Sequence, residues 1–359
     1  MKGIVISGYY GFGNSGDDAL LLSIISELKK HGLKDSITVL SSNPEETKKI
    51  YGVKAVNRIN PFAVLYSILF CRMFISGGGT LIQDGTSTKS LLYYLYLIKL
   101  AKLLGKKVML YANGIGPVNK ESNKIKCNKI LNTVDVITVR DEKSMDVLED
   151  MSISKPLIQL TADPVFLLDK AQNIDNIIKE IGSEKYFCIS VRNTKKLGDD
   201  FEKNLANAVE NISIKYNLTP VFVPLQKSDI KICADTIKHL KTASVILSHT
   251  LSPTEIMAVV SKAQMAVGMR LHMLIYAAAA AIPIVGIVYD PKVSGFMEYA
   301  HQNLYVNDYD ANENNLYELF EACISNADEI KDELVKIREE LILKSNENAE
   351  IAAKLYKGM

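Results

Sequence analysis

The chain has 359 residues, of which 48% are hydrophobic and 23% charged, apolar material for two cores rather than one. Its 42 Lys+Arg balance 41 Asp+Glu to leave a formal charge of +1, so there is none of the clustered basic excess that nucleic acid requires. Any phosphate is therefore expected at a local site. The five cysteines (Cys71, Cys127, Cys188, Cys233 and Cys323) are scattered and lack a C-x-x-C spacing, which argues against a disulfide framework or structural zinc and for buried thiols in a reducing compartment.

From residue 3 the chain enters a short strand, with no apolar region long enough for a secretory signal. Its longest apolar stretch, 61–75, is broken by Arg72 and falls short of the roughly 20 residues that span a bilayer, so a cytoplasmic protein is expected. Strands are expected at 3–7, 37–41, 72–76, 107–111, 135–139 and 157–160, with helical periodicity between them, as in 17–30 and 89–104. A second series follows the polar stretch 169–184, with strands at 186–191, 219–223, 244–247, 264–267 and 282–288. This βαβ rhythm predicts an α/β protein with two doubly wound, Rossmann-like domains facing a cleft. The expected organisation is an N-terminal domain over 1–168, a C-terminal domain over 184–312 and a helical tail over 313–359.

Directly after the first strand, Gly11-Phe-Gly13-Asn-Ser-Gly16 matches the G-x-G-x-x-G dinucleotide fingerprint. Two details oppose that reading. The second strand ends Leu40-Ser41-Ser42-Asn43 without the acidic residue that holds a ribose, and Asp17 and Asp18 would repel a pyrophosphate in the helix's first turn. A ligand-free turn capped by Asn14 or Ser15 is the plainer alternative to a loop lining the cleft. Further glycine clusters, Ser76-Gly-Gly-Gly79-Thr80 and Asn113-Gly-Ile-Gly-Pro117, also follow strands. Consecutive glycines cost backbone entropy, and suit a close approach to a ligand or a nest of N–H groups. One sheet edge thus carries all three loops, and it is expected to be a binding face.

In the second half, Val267-Gly-Met-Arg270-Leu-His272 leads from a strand into an Ala-rich helix. Arg270 opposes the helix dipole unless an anion lies between it and the helix end. Tyr289-Asp-Pro-Lys292 places Lys292 at the carboxyl end of the next strand. A guanidinium, an imidazole and an ammonium on neighbouring strand ends suit a small, doubly anionic substrate. The plain alternative is a solvated arginine with a structural histidine.

The chain resembles the polysaccharide pyruvyl transferases, including the type acting on secondary cell-wall polymers, over nearly its whole length. The resemblance rests on Gly8-Tyr-Tyr-Gly-Phe-Gly-Asn-Ser-Gly16-Asp-Asp-Ala-Leu20, Ser76-Gly-Gly-Gly-Thr-Leu-Ile-Gln-Asp84, Gly114-Ile-Gly-Pro117, Val139-Arg140-Asp141-Glu142-Lys143-Ser144, Ala162-Asp163-Pro164, Arg270-Leu-His272 and Tyr289-Asp-Pro-Lys292. It implies a fold similar to GT-B glycosyltransferases and transfer of a pyruvate ketal from phosphoenolpyruvate to a sugar, with no cofactor and no metal. It further implies that Arg140, Arg270, His272 and Lys292 contact phosphoenolpyruvate. Arg192, after the strand at 186–191, is a weaker candidate for the same role.

Ketal formation needs a proton at the methylene carbon of phosphoenolpyruvate, and His272 is the candidate acid because its unperturbed pKa lies nearest neutrality. Arg270 and Lys292 complete the expected catalytic set. Acceptor binding is expected at Asn14, Gly16, Asp17, Gly78, Gly79 and Asp84, with Asp17 or Asp84 as base. The expected acceptor is a lipid-linked saccharide carrying ManNAc, met at the inner face of the plasma membrane. Segments 61–75 and 89–107 read either as an interfacial surface for that lipid or as buried core helices. Two rival functions keep the fold: a glycosyltransferase using a nucleotide sugar, and a non-catalytic sugar- or anion-binding protein.

Overall fold

A computed structural model describes residues 3–33, 37–194, 197–198 and 200–358. They form two compact units, residues 1–168 with 341–359 and residues 169–340.

In the first unit the strands are β1 (Ile4–Ser7), β2 (Ile37–Ser41), β3 (Lys54–Asn57), β4 (Met73–Gly77), β5 (Lys107–Asn113), β6 (Val136–Val139) and β7 (Leu157–Leu160). They make one seven-stranded parallel sheet in the order β3-β2-β1-β4-β5-β6-β7. β1 and β4 are wholly buried runs, as a sheet covered on both faces demands. Alternate residues feed two cores. Val5, Phe74 and Leu110 pack with the helices Pro61–Phe70 and Thr88–Leu103, while Ile6, Ile75 and Met109 pack with Ser15–Lys30 and the C-terminal helix. Strand order reverses between β1 and β4, where doubly wound sheets open a crevice for ligands.

The second unit repeats the plan with β8 (Tyr186–Ser190), β9 (Thr219–Phe222), β10 (Val245–Ile246), β11 (Ala266–Gly268), β12 (Ile284–Val288) and β13 (Tyr305–Asn307). Its six-stranded sheet runs β10-β9-β8-β11-β12-β13, all parallel, and reverses between β8 and β11.

Two strands lie outside the sequence expectations, β3 and β13. Both are edge strands whose ends are polar or partly exposed (Lys54, Asn57, Asn307), so they show no continuous apolar run. The segment 313–359 divides between the two units. The helix Glu313–Ser325 packs on the helix Phe201–Tyr216 of the second unit, and the 31-residue helix Ala327–Lys357 ends in the first. There Asn348 is buried against β6 and the segment after β7, bonding Thr138 at 2.6 Å and Thr161 at 2.9 Å. Alternate burial of Leu334, Leu341, Ala349 and Ala352 along one helix served two cores, which a composition reading could not separate.

Candidate active site

The carboxyl edge of the second sheet gathers functional groups from four consecutive strands, β9-β8-β11-β12. β11 ends at Gly268, paired with Ser190 of β8 and Gly286 of β12. The chain then turns through Met269, whose N–H donates to Ser190 O at 2.8 Å, into the helix Leu271–Ala279. Arg270 is the N-cap residue of that helix, and its side chain makes no capping hydrogen bond to the first N–H groups. His272 lies half-buried in the first turn, its ring centre 6.3 Å from that of Tyr276.

Arg192 follows β8 and crosses to Tyr289 after β12: its Nη1 donates to the Tyr289 hydroxyl at 2.8 Å and its guanidinium carbon lies 4.5 Å from the ring centre. Lys292 Nζ lies 5.3 Å from the same ring centre and 3.6 Å from Asp290 Oδ2. Tyr289 thus gathers two cations, each gaining a cation–π attraction of about 0.5–2 kcal/mol. Arg192 has no carboxylate within ion-pair distance among the described residues, and its buried Nε has no hydrogen-bond partner there. The buried Ser190 Oγ, two residues earlier, is likewise unpartnered among the described residues. Buried polar groups are ordinarily hydrogen-bonded, so these two at one strand end call for a partner.

Arg270 is placed differently. Its Nε and Nη2 bind both carboxylate oxygens of Asp229 at 2.9 and 2.5 Å, and Nη2 also reaches Gln226 Oε1 at 3.1 Å. Asp229 is 1% exposed, so this is a buried, bidentate pair that already neutralises the guanidinium. Gln226 and Asp229 follow β9 in Val223-Pro-Leu-Gln-Lys-Ser-Asp229, a loop without a periodic or glycine signal, and sequence reasoning missed them.

The first unit holds the other predicted residues. Asn14 caps the helix Ser15–Lys30, its Oδ1 accepting from Gly16 N at 3.1 Å. Asp17 stands over the second glycine cluster: a Cβ at Gly79 would lie 3.1 Å from Asp17 Oδ1, and φ there is +69°. Gly78 packs against Leu20 of the same helix. The glycine clusters after β4 and β5 are stitched together by Gly114 N→Gly79 O (3.0 Å) and Gly116 N→Ile82 O (2.7 Å), and Gly78 N donates to Tyr111 O. Part of the expected N–H nest is thereby consumed in joining the two loops.

Arg140 stands in this unit too, buried, with Nη1 2.5 Å from Asp163 Oδ2 and Nη2 3.4 Å from Thr80 Oγ1. Arg192, Arg270, His272 and Lys292 belong to the second unit. Asp84 is turned inward, 8% exposed, and accepts from Asn119 N, Asn123 Nδ2 and Lys120 N at 2.7, 2.8 and 3.1 Å. Burial alone would raise its pKa, but those donors and the Lys120 charge together hold it below the ordinary carboxylate value. A carboxylate so engaged is a poor base, and Asp84 is better explained as the clasp of the loop before the helix Glu121–Leu131.

Three further features of this edge escaped sequence reading. Tyr9 and Phe12 stack in the first glycine loop with ring centres 4.1 Å apart, both exposed. Arg58, just past β3, lies 4.6–5.4 Å from the ring centres of Phe12, Tyr93 and Tyr94, and Nη1 donates to Gly8 O at 3.0 Å. Asp18 accepts from the Tyr51 hydroxyl at 3.2 Å, and burial, against that bond, pushes its carboxyl up to about 6. All five cysteines are buried and free, with burial raising each thiol. Among the described residues no group of three or more His, Cys, Asp or Glu is placed to hold a metal ion.

Solved structures similar to this chain share its fold at low identity. A protein from Listeria monocytogenes, with the proposed assignment UDP-N-acetylglucosamine 2-epimerase, has a TM-score of 0.73 at 11% identity, covering 100% of this chain and 98% of its own. Staphylococcus aureus MnaA, in a co-structure with UDP, gives 0.70 at 11%, covering 100% and 97%. The UDP-GlcNAc 2-epimerase of Methanocaldococcus jannaschii, in complex with UDP-GlcNAc and UDP, gives 0.67 at 14%, covering 100% of both. The two parallel α/β units are thus GT-B-like. No curated protein matches the chain. A family model does, over residues 14–291, from the cap of the first helix to the residue before Lys292, and the chain belongs to the polysaccharide pyruvyl transferase family.

Proposed function

We propose that this pyruvyl transferase takes its donor from phosphoenolpyruvate and forms a pyruvate ketal on a sugar diol. The acceptor in this reading is ManNAc of a lipid-linked cell-wall polysaccharide precursor at the inner face of the plasma membrane. The observation that carries the donor assignment is the pair Arg192 and Lys292 around Tyr289, close along the sheet edge to His272, with a buried Arg192 N–H that no described protein group accepts. Phosphoenolpyruvate brings a phosphate and a carboxylate to such a place, and two cations are the complement of those two anions.

In this scheme His272, protonated, delivers its proton to the methylene carbon as C2 gains cationic character. A sugar hydroxyl adds at C2, the C2–O bond to phosphate breaks, and a second hydroxyl closes the ring. Of the two hydroxyl protons, one restores His272 and the other leaves with the phosphate, so the reaction balances without an oxidant or reductant. Arg270 contributes the one guanidinium nitrogen, Nη1, that its bonds to Asp229 and Gln226 leave over. Arg140, neutralised by Asp163, acts by holding the glycine loops through Thr80. On the first unit, Asp17 and Gly79 are the groups read as acceptor-binding, with the Tyr9–Phe12 pair offering a ring face to a sugar.

Thermal-shift titration with phosphoenolpyruvate, UDP-sugars and NAD tests the donor, followed by mass spectrometry of a ManNAc-containing acceptor. Stabilisation by phosphoenolpyruvate and a mass gain of pyruvate less water are expected. Stabilisation by a UDP-sugar alone, with glycosyl transfer, would replace this reading with a glycosyltransferase.

A further inference from the structure

The helix Pro61–Phe70 is apolar all round, yet it buries only Val64 and Ile68 among its described residues. Phe62, Leu65, Tyr66, Leu69 and Phe70 follow an i, i+3, i+4, i+7, i+8 spacing and all lie exposed, Phe62 at 82% and Tyr66 at 66%. Ile59, just before the helix, is 80% exposed. The neighbouring helix Thr88–Leu103 is different: it buries Leu91, Tyr94, Leu95, Leu97, Ile98 and Ala101, and shows Leu92, Tyr96, Lys99 and Leu103 to solvent. The two helices are tied at both ends. Arg58 bonds the Tyr94 hydroxyl near the start of the first, and Lys106 Nζ donates to Leu69 O at 2.7 Å near its end. They therefore run side by side on one sheet face and present a joint surface. Sequence left two alternatives for these segments, interfacial or core; the helix Thr88–Leu103 buries most of its apolar side chains, and the helix Pro61–Phe70 exposes most of its own.

The charge in this stretch of chain is mostly basic, although Lys106 is buried and Asp135 pairs with Lys102 and Lys107. Between residues 60 and 107 the basic residues are Arg72, Lys89, Lys99, Lys102, Lys106 and Lys107, and the one acidic residue, Asp84, is turned inward. On the same sheet face, between the helices Thr88–Leu103 and Glu121–Leu131, lies a groove of about 500 Å³ floored by Leu103 and Ile130 and rimmed by Lys99, Lys102, Lys126 and Lys129. Lys102 is paired with Asp135 at 2.7 Å, whereas Lys99, Lys126 and Lys129 have no ion-pair partner among the described residues. No described helix is long and apolar enough to cross a membrane.

We propose that this face docks on an anionic phospholipid bilayer, the stripe from Phe62 to Phe70 entering the headgroup region and the groove lysines meeting lipid phosphates. A bilayer is the occupant that takes a ten-residue apolar helix lying flat and a basic rim together; a protein partner would need matched pockets for five separate side chains. The helix starts four residues past the end of β3, on the edge that carries Tyr9, Phe12 and Arg58. A bilayer at this face thus brings a lipid-linked saccharide to the edge read above as the acceptor side, on which the biological purpose of docking rests.

Co-sedimentation of the full chain with vesicles tests the docking without any turnover, so its failure is distinct from failure of the donor or acceptor assignment. Vesicles of phosphatidylcholine with phosphatidylglycerol are expected to bind the protein, and phosphatidylcholine alone to bind far less. Lys99→Glu, Lys126→Glu and Lys129→Glu are each expected to lower partitioning by about fivefold or more, in a salt-sensitive way. Phe62→Ser with Tyr66→Ser should abolish binding at unchanged Tm, since both rings are exposed. Equal binding to both vesicle types, no binding, or binding unaffected by Phe62→Ser/Tyr66→Ser would overturn the proposal. So would a concentration-dependent dimer that those two substitutions dissolve in the absence of vesicle binding.

Discussion

The buried pair between Arg270 and Asp229 separates what this arginine does for the fold from what it does for chemistry. Arg270 places two donors on the two oxygens of a carboxylate that is 1% exposed. Removing one partner strands the other in the interior, at a cost of about 3–5 kcal/mol, whereas replacing both by apolar groups of similar volume is close to neutral. The second unit spans residues 169–340, a size for which 1 kcal/mol shifts Tm by roughly 2–4 °C. Arg270→Met and Asp229→Leu are therefore each expected to lower its Tm by about 6–20 °C. The double variant should recover most of that loss, with a coupling of at least about 2 kcal/mol. Differential scanning calorimetry of the four proteins measures this, with phosphate release from phosphoenolpyruvate in parallel. The double variant should be well folded and at least about 10²-fold slower than wild type, because the remaining Nη1 donor to the transition state is lost. Additive Tm losses would show that the pair is not coupled, and a double variant with wild-type turnover would remove Arg270 from the chemistry.

His272→Ala is expected to keep Tm within a few degrees and to lower turnover about 10²-fold or more in the phosphate-release assay; a wild-type rate would exclude it as the acid. Arg192→Gln should raise KM for phosphoenolpyruvate by about 10- to 100-fold, the scale of one charge-assisted hydrogen bond, with little effect on KM for the acceptor. Gly79→Ala adds a Cβ 3.1 Å from Asp17 Oδ1 at φ +69°, and should destabilise by about 1–2 kcal/mol and raise KM for the acceptor selectively. Asp18, pushed by burial from 3.8 to about 6, has a folded pKa above its unfolded one. The stability it contributes is fully present below about pH 3.8 and lost as pH rises through about 6. Asp18→Asn should therefore stabilise by about 2 kcal/mol at pH 8, after losing its helix-dipole contribution, and by almost nothing near pH 4, read by thermal melts at both pH values.

Much of the sheet architecture was legible because buried parallel strands are short apolar runs. β1, β4, β8 and β12 bury every residue and stand out at once, while the edge strands β3 and β13 are half-exposed and do not. The glycine loops were legible for a similar local reason: a strand followed by glycines is a backbone statement. Asp229 and Arg58 were not. Each acts through a residue 41 or 36 positions away in the chain, and no local pattern announces such a partner.

By itself, then, the sequence determined two βαβ series, the glycine loops at their strand ends and the order of motifs that marks the family, since these follow from hydrophobic period and backbone freedom. Only the tertiary structure decided which charges are spent. Asp229, Asp163 and the donors around Asp84 neutralise or occupy Arg270, Arg140 and Asp84, and Lys292 has Asp290 at 3.6 Å, whereas Arg192 meets Lys292 at Tyr289 with no carboxylate within ion-pair distance among the described residues. The physical reason is that an ion pair depends on distance in space, and strands placed side by side by the β9-β8-β11-β12 order bring together groups that the chain keeps up to a hundred residues apart.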